Sequence, residues 1–71
     1  MISADYAAKL FSKFIHFNEK FSDKELRRYI YFLTYQVAFM SGIPEYSLMR
    51  RDMLDQLNVC RGWAEARNMK I

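Results

Sequence analysis

The sequence predicts an all-α fold, a compact three-to-four-helix bundle with a long central second helix. Apolar residues recur at spacings of three and four through most of the chain, which is the period of an amphipathic helix. Two glycines and one proline in 71 residues leave too few turn formers for an all-β domain. A capping box formed by Ser22 and Glu25 marks a helix start directly.

The first helix is expected over residues 4–17. Tyr6, Leu10, Phe14 and Phe17 follow one another at four, four and three, with Ala7 and Phe11 beside them. Ser3 suits the N-cap, and Asp5 places a negative charge where the helix dipole favours it. Lys9, Ser12 and Lys13 then fall on the wet side.

The second helix is expected over residues 23–41. Ser22 and Glu25 form its capping box, Phe21 and Leu26 its hydrophobic staple, and Gly42 can take the left-handed conformation that ends it. This segment carries two apolar stripes. One runs through Leu26, Ile30, Leu33, Val37 and Met40, the other through Tyr29, Phe32, Gln36 and Phe39. A helix apolar on most sides has to be covered on most sides, which calls for a central position or for a partner.

Pro44 fits the first turn of a third helix, where a missing N–H costs nothing. Tyr46, Met49, Met53, Leu57 and Cys60 give its stripe, predicting a helix over residues 44–60. Gly62 is expected to interrupt or end it, with a short terminal helix over residues 63–69 or a continuation beyond the glycine. There is no linker, repeat or low-complexity tract, so residues 1–71 read as one helical domain.

Composition narrows the function classes. The hydrophobic share is 52% and the aromatic share 17%, while one cysteine and one histidine cannot build a disulfide framework or a zinc site within one chain. The formal charge of +3 is spread along the chain: residues 1–43 carry six Lys/Arg against four Asp/Glu, residues 44–71 five against four. No basic tail results, and nucleic-acid contact is permitted rather than demanded. The first ten residues lack the pattern of a secretory leader. The longest apolar stretch, residues 29–40, falls short of the roughly twenty residues of a membrane span. With a lone cysteine, the expectation is a cytoplasmic protein without membrane insertion.

Catalytic and metal-binding constellations are missing from the sequence, and no cofactor or small-molecule substrate is expected. His16 lies between Ile15 and Phe17 and reads as exposed or structural; Cys60 continues an apolar stripe and reads as a buried thiol. Asp52 and Asp55, without a histidine or a glycine-bent loop beside them, read as a solvated face.

From Thr34 to Met53 the residues follow part of a helix-turn-helix pattern. Ala38, Gly42, Ile43 and Leu48 occupy positions that in the motif pack the crossing, make the turn and seat the second helix. The run Ser41-Gly42-Ile43-Pro44-Glu45 resembles the turn of many bacterial helix-turn-helix regulators over about twenty residues. Arg51 departs from the pattern, standing where an apolar residue normally faces the core. The resemblance implies a DNA-binding regulator with the third helix as recognition helix. Glu45, Tyr46, Ser47 and Arg50 would then reach the major groove, and Arg27, Arg28 or Arg51 the phosphates. The plainer reading of the same residues is a glycine-ended helical hairpin.

The functional expectation is a small non-enzymatic regulatory or interaction protein. It would self-associate or bind a larger protein through the aromatic face of the second helix. Tyr29, Phe32, Tyr35 and Phe39 supply that face, helped by Met49, Met53 and Trp63. A three-helix bundle of this length cannot bury all of Tyr29, Tyr31, Phe32, Tyr35 and Phe39, and tyrosine and tryptophan suit interfaces because they bury area while keeping a polar handle.

Overall fold

The computed structural model describes residues 3–16 and 21–71, and within them the chain is all-helical. Helix α1 spans Ala4–His16, α2 Asp23–Phe39 and α3 Ser47–Ala66, with a 3-10 turn at Pro44–Tyr46 leading into α3. No strand occurs among the described residues. Phe17, the last member of the first expected stripe, lies outside them.

Each boundary has a local cause. Ser3 Oγ accepts from the Tyr6 N–H at 3.2 Å and opens α1. At the start of α2 the capping box is closed in both directions: Glu25 N–H donates to Ser22 Oγ at 3.1 Å, and Ser22 N–H donates to Glu25 Oε1 at 3.0 Å. The staple residues Phe21 and Leu26 are both buried. Gly42, at φ +78°, turns the chain after α2, and Pro44 then starts the 3-10 turn, so α3 begins three residues later than the position of the proline suggests.

The expected break at Gly62 does not occur; α3 runs through it to Ala66. A glycine inside a helix costs about 1 kcal/mol relative to alanine. Continuing the helix seats Trp63 and Ala64 against the core, a tertiary gain of greater size. The helix ends instead at Asn68, at φ +59°, where Met69 N–H donates to Ala64 O and Asn68 N–H donates to Glu65 O, each at 2.9 Å. This is a Schellman cap with asparagine in the left-handed position.

Helices α2 and α3 make the most extensive contact and form an antiparallel hairpin. Arg50 Nε donates to Val37 O at 3.1 Å near the turn, Tyr29 Oη donates to Gln56 Oε1 at 2.6 Å midway, and Arg67 donates to Phe21 O at 2.9 Å at the far end. Partner numbers rise on one helix as they fall on the other over the whole length of α2. Helix α1 packs chiefly on α2. Leu10 enters the core, and Phe14 lies 6.1 Å from the ring of Tyr29 and 5.3 Å from that of Trp63. The core also takes Phe21, Leu26, Ile30, Leu33, Leu57, Cys60 and Ala64, and no buried side-chain N or O among the described residues lacks a hydrogen bond. At 20 residues, α3 is the longest helix; α2 has 17.

Candidate protein-interaction surface

Which face of α2 remains outside follows from what covers the others. All of Leu26, Ile30, Leu33, Val37 and Met40 are buried, so this stripe is the core stripe. On a helix of 3.6 residues per turn, Tyr31, Tyr35 and Phe39 span an arc of about 80° on the side opposite that stripe. They are exposed by 56%, 56% and 62%. Thr34 and Ala38 lie beside this arc and are exposed as well.

The expected interface residues divide accordingly. Tyr35, Phe39 and Met49 are exposed. Tyr29 is only 2% exposed, its ring flanked by Phe21, Phe14 and Phe32 and its hydroxyl held by Gln56. Burial pushes the Tyr29 hydroxyl well above the ordinary phenol range. Phe32, Met53 and Trp63 are half-buried against the core. Tyr29, Met53 and Trp63 therefore belong to the structural interior and its margin. Tyr31, one of the surplus aromatics but not one of the expected interface residues, completes the exposed stripe, and its spacing of four from both Arg27 and Tyr35 is the signal that places it there.

The N-terminal half of the same outer face is cationic. Lys24, Arg27 and Arg28 are exposed, with Arg28 5.9 Å from the centre of the Tyr6 ring. The two acids of this helix are engaged elsewhere. Asp23 receives Arg67 at 3.0 Å, and Glu25 receives Lys13 Nζ at 2.7 Å on both carboxylate oxygens. The hydrogen bond from Lys13, reinforced by the Ser22 N–H, holds the Glu25 carboxyl down at about 2.

The residues of the helix-turn-helix pattern are placed differently from what that motif requires. Ala38 and Leu48 should pack the crossing, yet both are exposed, Leu48 by 75%. Helices of a DNA-binding helix-turn-helix cross at about 90–120° and part beyond the turn; α2 and α3 stay in contact from Val37 and Arg50 down to Phe21 and Arg67. Arg50 is half-buried on the Val37 carbonyl, whereas Arg27, Glu45, Tyr46, Ser47 and Arg51 are exposed.

On the flank of α2 away from α1, the hairpin leaves a cleft of about 430 Å³. Its apolar lining comes from Ile30, Ala64, Met69 and Ile71, with Tyr31, Arg61 and Glu65 among the other lining residues. Tyr31 belongs both to the cleft and to the outer stripe.

Reactive groups offer little. The Cys60 thiol is fully buried, and burial pushes it up to about 12. His16 is exposed, with Nδ1 2.7 Å from the Ser12 carbonyl. No cluster of three or more metal-ligating side chains occurs among the described residues. No helix among them is long and apolar enough to cross a membrane. No family model, curated protein or solved structure matches the chain.

Proposed function

We propose that this chain is a non-enzymatic interaction module whose three helices act as one bundle, presenting the outer face of α2 to a protein partner or to a second copy. One observation carries the reading: Tyr31, Tyr35 and Phe39 lie on one exposed arc while the core is complete without them. With about 200 Å² per aromatic side chain, their exposure amounts to roughly 350 Å². That is the size of the largest apolar patch on a typical monomer, a patch that often serves binding. Tyrosine supports such a use, because its hydroxyl keeps the free surface wettable and its ring supplies contact area.

A regulatory or scaffolding role without cofactor or small-molecule substrate fits the chemistry of the chain. Its thiol is buried in the core and its histidine imidazole sits on a backbone carbonyl. A buried, unpaired thiol also suits a reducing cytoplasm. DNA recognition by α3 has less in its favour, because it asks for a free Arg50 and for helices that cross.

The test compares the native chain with a Tyr35→Glu, Phe39→Glu double variant. Sedimentation at 10–200 μM and affinity capture from cells are scored for both protein and nucleic acid. The expected result is self-association or protein retention by the native chain and its loss in the variant, with unchanged helicity. A strict monomer retaining the same molecules as its variant would refute the reading. DNA captured equally by both, and released by Arg50→Ala, would transfer the function to α3.

A further inference from the structure

Resting on the reading that the outer face of α2 binds a protein, we propose that its partner is an acidic amphipathic helix. Such a helix would set carboxylates against Lys24, Arg27 and Arg28 and apolar side chains against Tyr31, Tyr35 and Phe39. The face is bipartite along the helix axis, three exposed cations followed by three exposed aromatics. No carboxylate of α2 shares this arc, because Asp23 and Glu25 fall just beyond its two edges and are paired with Arg67 and Lys13. Lys24 and Arg27 have no side-chain partner among the described residues. From Lys24 to Phe39 the face is about 22 Å long, which a partner helix of about four turns would match. Where the two halves meet, Tyr31 adjoins the cleft over Ile30, Ala64 and Met69, with room for one large apolar side chain.

Other occupants fit this arrangement less well. A second copy laid parallel sets like charges against each other. Laid antiparallel, it brings three cations from each copy into one interface without a counter-charge. A polynucleotide would be drawn to the cationic half, but the aromatic half lies at the C-terminal, negative end of the helix dipole, and no basic residue in the last turn of α2 offsets it. An anionic membrane prefers cations flanking an apolar stripe along its length, whereas these stand before it.

The experiment selects binders from a displayed library of random 16-residue peptides, with the whole chain as bait. The enriched peptides are then measured by fluorescence anisotropy in 0.15 M salt. Measurements use the native chain, a Lys24→Glu, Arg27→Glu variant and a Tyr35→Ser, Phe39→Ser variant, each checked for native helicity. The expected pool is acidic towards one end, apolar at helical spacing towards the other, and about tenfold weaker on the charge variant, in line with two interface ion pairs. A neutral or basic pool that binds the charge variant undiminished, but fails on the serine variant, overturns the acidic partner and leaves the aromatic face standing as a binding surface. A pool indifferent to the serine variant, or no enrichment at all, overturns both. Tighter binding of a 20-nucleotide oligouridine, or of phosphatidylserine–phosphatidylcholine vesicles, than of the best peptide also overturns the proposal.

Discussion

Replacing Glu25 with glutamine removes one charge while keeping the geometry around it. Glutamine can still accept the Ser22 N–H through its side-chain oxygen, so the capping box survives in weaker form and the loss falls mainly on the contact with Lys13. The folded carboxyl sits at about 2 against an ordinary value of 4.5. A shift of that size corresponds to about 3 kcal/mol at most. The side chains of Lys13 and Glu25 retain 25% and 17% exposure, so water screens part of the attraction and about 1–2 kcal/mol remains. For a domain of this length that is a substantial share of a total of roughly 4–10 kcal/mol. Because the folded value is depressed, the contribution is fully present above about pH 4.5 and disappears as the pH falls from there towards 2. Urea unfolding followed by far-ultraviolet circular dichroism and by Trp63 fluorescence should give the native chain the higher midpoint at pH 7. The two curves should converge near pH 2. A difference below about 0.3 kcal/mol at pH 7, or one that is the same at both pH values, would show that the Lys13 contact does not anchor α1 to α2.

The two glycines should respond in opposite directions. Gly62→Ala should raise the unfolding free energy by about 0.5–1 kcal/mol, since a Cβ there meets nothing within 4 Å and the helix already runs through the position. Gly42→Ala should lower it by about 1–2 kcal/mol, because φ +78° strains any residue with a Cβ even in open space; equal effects in thermal melts would contradict the assigned backbone. Tyr29→Phe should cost about 1–2 kcal/mol in urea unfolding by stranding Gln56 next to the core, and no loss would mean that Gln56 finds water instead. Cys60 should react with a thiol-specific disulfide reagent at the rate of global unfolding rather than at that of a free thiol, since it is enclosed and its thiolate is disfavoured at neutral pH.

How far the sequence could be read differs from element to element. The start of α2 was legible because a capping box is a local device: Ser22 and Glu25 satisfy each other's backbone groups across four residues, and no distant contact is needed. The turn at Gly42 was legible for the same reason, since only the residue type decides who tolerates a positive φ. Gly62 misled because its local cost is outweighed by core contacts of Trp63 and Ala64 that periodicity cannot measure. Asn68, the residue that does end α3, carried a weaker signal, as asparagine takes the left-handed conformation less readily than glycine.

By itself the sequence determined the helical period, the hairpin turn and the core stripe of α2, all set by neighbours within one or two turns. It also settled that α2 has more apolar surface than one stripe. Only the tertiary structure decided how the second stripe is divided. Tyr29 is sealed by α1, α3 and Phe21, Phe32 is half-covered, and Phe39 lies beyond the reach of α1 and stays in water. The division depends on where residues far apart in the chain come to rest, and hydrophobicity has no direction of its own: the same ring is core where another helix covers it and docking surface where none does.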